Sequence, residues 1–516
     1  MRSLVVDIGS SNVKVYLAEL HADKALEMKE ADRFATDRSF FLGHLSTDIF
    51  AIYDRICRVV MSLAKQGISI DSIGIDSWCS DFGILDLDSG SISMPVFYRD
   101  SRTDGALEIV EAVMDYEEIY RRTGQRKLKD STLCQLLAYM EEYPQGLWGS
   151  KKLLFLGDML MYLFTGVACS ELSVASYSQL YDMQSGGWDR LMLARFGIPE
   201  EVMPPVVQPG TRVGAIREDL ARYLGIGRVS AVMPAVHDTA SAGAAVPAEA
   251  GKAWAFLATG SWFLMSMELD APADAEKSYR YQLSNTGMGF GKVLLKKNIT
   301  AMWLVQECRK RWKERGLAYE YGELKEMACR AEPFQGMIDT EYEGFRNPED
   351  MVREICSYLK DTGQEPPGED DAGQIVRIIY ESIALRSAEA LHMLEDAAGR
   401  ETEVLYVLGG ANRIELLNQL LADATGLAVK TGPTEASAVG NALLQAYGAG
   451  MVGSLEEMRS VAAGICRIEE YQPRDTGRWK KRREAYETFK AEAGTRVLPG
   501  GRRERSKRGG ERRIEL

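Results

Sequence analysis

Three groups of residues have the types and spacing to do chemistry on phosphates and hydroxyls. The first is His237-Asp238, within Pro234-Ala-Val-His-Asp-Thr-Ala-Ser-Ala-Gly243. A carboxylate there can take the proton of a bound hydroxyl, and the imidazole beside it can meet substrate oxygens. The same dipeptide before Thr-Ala-Ser also reads as a helix N-cap. The second group is three glycine turns, Gly9-Ser10-Ser11-Asn12, Gly260-Ser261 and Gly409-Gly410. Lacking a Cβ, such tips let backbone N–H groups approach an oxyanion. The third tip is expected at a helix N-terminus, where the dipole also favours anions. The third group is Asp7, which follows Leu4-Val-Val-6 in an apolar run that is a costly place for an unpaired carboxylate. Mg²⁺ carried by a nucleotide, bound directly or through water, would compensate it; backbone donors of the following turn would do so too.

Two other phosphate motifs are absent. Gly287-Met-Gly-Phe-Gly-Lys292 is followed by Val293, so it lacks the magnesium-ligating hydroxyl of a P-loop, and its glycines lack dinucleotide-site spacing.

The elements that must carry these residues follow from periodicity. Leu4 to Leu20 reads as a strand, a Gly/Ser/Asn tip and a second strand with Val13, Val15 and Leu17 on one face. Ser46 to Gln66 has helical spacing and stops at Gly67, and Ser72 to Asp76 is a further strand. Ala255 to Leu269 repeats the strand, Gly-Ser turn, strand device, so the two halves are expected to share an architecture. Glu403 to Leu408 forms a strand into Gly409-Gly410, and Asn412 with Glu415 predicts a capped helix through Ala424. Pro433-Thr434-Glu435 opens an Ala/Gly-rich helix suited to close packing, and residues 363–371 form a loop. A domain boundary is expected between Ala244 and Lys252, giving domains 1–246 and 247–455, a helical extension 456–496 and a basic tail 497–516.

The 516 residues, 46% hydrophobic and 27% charged, predict a soluble protein with ample core. No apolar run approaches membrane-spanning length, and the start does not resemble a secretory segment, so a cytoplasmic location is expected. Eight scattered cysteines without metal spacing read as reduced thiols, and with only four histidines a zinc cluster is not expected. A net charge of −13 argues against a nucleic-acid partner. Only the tail is basic, with seven Lys/Arg against three Glu, and it reads as a disordered solvated segment.

Seven ordered segments carry a resemblance: Val6-Asp-Ile-Gly-Ser-Ser11, Gly74-Ile-Asp-Ser-Trp-Cys-Ser-Asp-Phe-Gly83, Tyr98-Arg-Asp-Ser-Arg-Thr103, His237-Asp-Thr-Ala-Ser241, Ala258-Thr-Gly-Ser-Trp262, Lys297-Asn-Ile-Thr-Ala-Met-Trp-Leu-Val-Gln-Glu307 and Gly409-Gly-Ala-Asn-Arg413. From about residue 4 to 450 the chain resembles the FGGY carbohydrate kinases. The resemblance implies an α/β fold of two actin-like, ribonuclease-H-like domains with the active site in the cleft between them. It further implies ATP and Mg²⁺ as cofactors and a ketose as acceptor, L-rhamnulose first, with L-fuculose or xylulose as alternatives. A non-catalytic nucleotide switch like actin or the heat-shock chaperone ATPases is the competing reading.

Carried over by position, Asp238 is the general base and His237 binds sugar. Ser10, Ser11, Asn12, Val13 and Lys14 form the first phosphate turn, and Thr259 with Gly260 the second. Asn298, Gln306, Gly409 and Gly410 line the nucleotide side, and Asp7 faces the magnesium. Trp78, Cys79 and Ser80 touch sugar, with Asp81, Asp100 and Arg102 as neighbours. Three departures from the family pattern stand out. Cys79 replaces a customary Gly, Asn285-Thr-Gly-Met288 replaces Asn-Glu-Gly-Gly, and Lys14 replaces an Arg, keeping the charge but losing the bidentate fork.

Overall fold

The computed structural model describes residues 1–496; the tail at 497–516 lies outside the described residues. Strand Arg2–Ile8, buried almost throughout, pairs antiparallel with Asn12–Leu20, which pairs in turn with Leu26–Ala35. Its other edge is parallel to Ser72–Ser77, followed by Ser230–Met233 and the edge strand Thr211–Ala215. Helix Ile49–Lys65 forms where helical spacing predicts it. The Asp48 carboxylate caps it by accepting from Ala51 N–H, and Gly67 leaves it at φ 74°.

The second sheet repeats this plan. Trp254–Thr259 pairs antiparallel with Trp262–Leu269, which pairs with Lys292–Thr300 and through it with Ser284–Gly289. On its other edge lie the parallel strands Val404–Gly409 and Ala428–Thr431, closed by Glu470–Tyr471. Each sheet is thus an antiparallel meander whose first strand also begins a parallel run, and the chain forms two actin-like domains. Each first-to-second strand hairpin ends at one of the glycine tips seen in the sequence, Gly9 and Gly260.

Each sheet has its own core, and a third cluster ties them together, with Val5 and Tyr16 of the first sheet joined to Phe256 and Tyr406 of the second. Two helices in that cluster, Asp238–Ala244 and Ala436–Gly448, cross in backbone contact. A Cβ on Gly440 would lie 1.7 Å from the Ser241 carbonyl oxygen, so only glycine fits there. The second helix also reaches the first sheet. Gln445 Nε2 donates to the Leu4 carbonyl (3.1 Å), Gln445 Oε1 accepts from Ser72 Oγ (2.6 Å), and Asn441 Nδ2 donates to Asp76 (2.6 Å). Helices Leu455–Ile465 and Thr476–Arg496 complete the described chain, with Trp479 and Tyr486 buried in the second core. Among the described residues no helix is long and apolar enough to cross a membrane.

Candidate active site

The first glycine tip is built to present donors. The Gly9 carbonyl accepts from Thr36 Oγ1 (2.7 Å), the Ser10 carbonyl from the Arg38 guanidinium, the Ser11 carbonyl from Thr36 N–H (3.1 Å) and the Asn12 carbonyl from Gly9 N–H (2.9 Å). With these carbonyls engaged by the protein, the N–H groups of Ser10 and Ser11 have no protein acceptor among the described residues. That is a concave set of donors for an oxyanion. Val13 contributes backbone only, its side chain being fully buried.

Beneath the tip, strand pairing sets Asp7 opposite Lys14, whose Nζ lies 3.4 Å from Asp7 and 2.6 Å from Glu435 of the other domain. Burial pulls the Lys14 ammonium down, but Asp7 and Glu435 outweigh it and leave it above the ordinary lysine range. Asp7 is raised, chiefly by burial against the pull of Lys14. Its parallel neighbour Asp76 is fully buried with Oδ1 unpartnered, and burial and Asp7 push it well up. A hydrated cation beside Asp7 and Asp76 would favour their charged forms, and the unpaired amides above suit phosphate.

A cavity of about 260 Å³ joins these groups to the second domain, lined by Asp7, Lys14, Thr259, Gly260, Gly409, Gly410 and Glu435 among others. It lies below the roughly 300–1,000 Å³ of pockets that enclose a whole ligand, and so matches the phosphate end of a nucleotide. The Thr259 hydroxyl is already committed: it donates to the Leu408 carbonyl (2.6 Å) and accepts from Ala411 N–H (3.1 Å). Thr259 therefore staples the two glycine turns together. Gly409, at φ 89°, has no room for a Cβ, which would sit 2.3 Å from the Thr259 carbonyl oxygen. Gln306 braces the second turn by accepting from Ser261 Oγ at 2.9 Å.

The expectation of an α-helix N-terminus at Gly409-Gly410 is corrected. A 3₁₀ turn, Gly410–Arg413, intervenes, and helix Glu415–Thr425 starts without a side-chain cap. Asn412 instead ties the turn to the Gly432 carbonyl (2.7 Å).

On the sugar side, Ser77 N–H donates to the Val236 carbonyl (2.7 Å), which brings Trp78-Cys79 beside His237-Asp238. The N-cap reading of the dipeptide holds. His237 is the N-cap and Asp238 opens the helix, its Oδ1 accepting from His237 Nδ1 (2.8 Å), Thr239 N–H (2.5 Å) and Thr239 Oγ1 (3.1 Å). Its Oδ2 has no protein partner among the described residues, and the side chain is 35% exposed. Burial pushes this carboxyl up, but the hydrogen bonds from His237 and Thr239 outweigh it and leave it below the ordinary range, so it is ionised at neutral pH.

Cys79 Sγ stands 3.7 Å from His237 Nε2, and Trp78 beside it is buried in the first core, edge-on to Phe97. The other four predicted sugar residues stand behind that wall. Asp81 is fully buried, accepts from Trp78 Nε1 (2.9 Å) and is pushed up to about 7 by burial. Ser80 is buried at φ 87° and its carbonyl accepts from Thr132 Oγ1. Arg102 donates to Gln135 (2.8 Å), which donates to the Ser80 carbonyl. Asp100 caps the turn Ser101–Thr103 and binds Leu45 N–H (2.7 Å) and His44 (3.0 Å), so its oxygens anchor the hairpin at 38–47 rather than meeting a ligand.

Sequence reading missed several participants. Glu171, fully buried and pushed up to about 7 by burial, accepts from Val236 N–H (2.8 Å) and from the Ser173 hydroxyl, whose Oγ accepts from His237 N–H (2.9 Å). Lys296, 1% exposed, points Nζ at His237 Nε2 (2.8 Å). Asn298 lies two residues along the same strand and so on the Lys296 face, toward the sugar wall as much as the nucleotide. A lysine inside Val293-Leu-Leu-Lys-Lys-Asn298 was the available signal, being a charge set in a buried apolar strand.

Comparison with known proteins gives the family. Residues 3–244 match the N-terminal domain of the FGGY family of carbohydrate kinases and residues 255–449 its C-terminal domain. A rhamnulokinase of Bacteroides thetaiotaomicron is 35% identical over 474 residues, covering 92% of this chain and 96% of that protein. A rhamnulokinase of Ligilactobacillus salivarius is 32% identical over 486 residues, covering 94% and 98%. Among solved structures, a xylulose kinase from Lactobacillus acidophilus superposes with TM-score 0.78 at 15% identity, covering 96% of this chain and 99% of that one. A glycerol kinase from Plasmodium falciparum with ADP gives 0.75 at 16%, covering 96% and 98%; at such identities these two speak for the fold alone. With both domains matched in order and the phosphate cleft lying between them, the chain belongs to the FGGY family of carbohydrate kinases and is an ATP-dependent carbohydrate kinase.

Proposed function

We propose that the chain transfers the γ-phosphoryl group of ATP to a hydroxyl of a ketose, L-rhamnulose in the first instance, with Asp238 as general base. The observation that carries this is the divided carboxylate: Oδ1 is fixed by three donors while Oδ2 is free on an exposed edge beside the phosphate cleft. An ionised oxygen held in that way accepts the hydroxyl proton as the oxygen attacks, a contribution worth about 10²–10⁴-fold. The choice of sugar is supported by the rhamnulokinases that resemble the chain along most of its length.

In this reading the amides of Ser10 and Ser11 and the Lys14 ammonium hold phosphate oxygens, while Gly260, Gly409 and Gly410 let the nucleotide approach the backbone of the second domain. Asp7, directly or through water, holds Mg²⁺, which supplies charge neutralisation around the transferring group. Trp78, Cys79 and His237 form the sugar wall. The domains divide near 246/247, and the helix crossing at Gly440 keeps the two walls in register so that the sugar hydroxyl rather than water is presented to the donor. In this reading the enzyme works in the cytoplasm on small-molecule substrates.

ADP release measured across a panel of L-rhamnulose, L-fuculose, xylulose and glycerol tests the reading. Release that depends on a ketose, strongest with L-rhamnulose, is expected. ADP release indifferent to every sugar would overturn it in favour of a nucleotide switch.

A further inference from the structure

Lys296 is nearly as buried as a core leucine, yet among the described residues no carboxylate pairs with its ammonium. The Nζ lies 2.8 Å from His237 Nε2 and 4.7 Å from the centre of the Tyr177 ring, which packs edge-on against the His237 imidazole. The other titratable groups facing it are the Cys79 thiol, the Arg126 guanidinium and, beyond the imidazole, Asp238. Burial lowers Lys296 to about 8 and lowers His237, so at neutral pH the lysine is mostly charged and the histidine neutral.

A neutral imidazole has one N–H, and its position follows from the partners. Nδ1 stands 2.8 Å from the ionised Asp238 Oδ1, a contact that requires a proton between them. The nearby Thr239 N–H lies 3.4 Å from Nδ1 but 2.5 Å from Oδ1, and so belongs to the carboxylate. Nε2 is then a bare acceptor, and an ammonium with three donors and no acceptor is the complement it needs.

We propose that Lys296 is a positioning residue for phosphoryl transfer: by donating to His237 Nε2 it fixes the Nδ1–H tautomer that grips Asp238 Oδ1 and leaves Oδ2 as the proton acceptor. The inference rests on Asp238 being the base. It follows that both His237 nitrogens are engaged by the protein. The sugar therefore meets the imidazole and the Cys79 side chain at this wall without a hydrogen bond from His237, which serves as the link between lysine and carboxylate.

Lys296→Met and Lys296→Arg in the full chain test this, assayed with the best sugar of the panel across pH and with ¹⁵N-histidine NMR, which four histidines make assignable. The wild type is expected to lose kcat as pH rises through about 8, where Lys296 gives up its charge. Lys296→Met should lower kcat about 10- to 100-fold, part of what a positioned base supplies, leave the KM for ATP unchanged and lack the alkaline loss. Lys296→Arg should keep its activity into more alkaline solution, and this variant alone decides the matter if the methionine variant does not fold. NMR should show Nδ1–H at His237 in the wild type and a shift toward Nε2–H in Lys296→Met. A wild-type alkaline limb in either variant, or Nε2–H in the wild type, overturns the relay. If Asp238→Asn is inactive while Lys296→Met behaves as wild type, the relay alone falls; if Asp238→Asn turns over normally, the base assignment falls with it.

Discussion

Replacing Gly440 by alanine perturbs the site without touching a reacting atom. The added Cβ would stand 1.7 Å from the Ser241 carbonyl oxygen, well inside any real contact. The obstacle is backbone, so helices Asp238–Ala244 and Ala436–Gly448 must separate by more than an ångström. Overpacking of this kind costs about 1–3 kcal/mol, so the fold is expected to survive with a lowered Tm. Asp238 is the first residue of the displaced helix and Glu435, which pairs with Lys14, precedes the other, so base and phosphate cleft would move apart. Misplacement on an ångström scale costs about 10²-fold in rate. Coupled ADP detection and a melting curve on Gly440→Ala should therefore show kcat down about 10²-fold in a folded protein. A variant with wild-type kcat would refute the claim that this crossing aligns the two walls.

Two further perturbations give separate readings. Cys79→Gly clears the thiol that stands 3.7 Å from His237 Nε2 and should change the ranking of ketoses by kcat/KM; an unchanged ranking across the panel would remove Cys79 from the sugar wall. Glu171 titrates near 4.5 when unfolded but at about 7 when folded, because burial disfavours its charge. The folded state thus holds the extra proton between those values, and stability should fall as pH climbs through that window and level off above it. Asp81 adds to the same slope. Glu171→Gln should flatten Glu171's share, seen as a smaller drop in Tm between about pH 5 and about pH 8, and an unaltered slope would show that Glu171 is not protonated in the fold.

Local pattern made much of this molecule legible. Alternation from Val13 to Leu17 and the Gly-Ser tips sufficed to find both hairpins, and the carboxylate at Asp7 stood out because a charge is costly beside an apolar run, whereas Asp238 was singled out through the family resemblance. What stayed illegible was which groups spend their hydrogen-bonding capacity on partners distant in sequence. Asp100 is committed to Leu45, His44 and its own turn, Thr259 to Leu408 and Ala411, and Asn412 to Gly432, none of which a linear reading can pair. Lys296 was missed for the converse reason. Its partner His237 lies 59 residues away on another domain's wall, so only the folded chain brings them to 2.8 Å.

The central claim is that the free oxygen of Asp238 takes the proton. Asp238→Asn preserves size and can still accept from Thr239 through Oδ1, so binding of nucleotide should survive while the proton acceptor is lost. Single-turnover sugar phosphorylation by this variant, measured alongside its affinity for ATP, should show a rate lower by about 10²–10⁴-fold with affinity intact. A phosphorylation rate within a few-fold of the wild type would contradict the account.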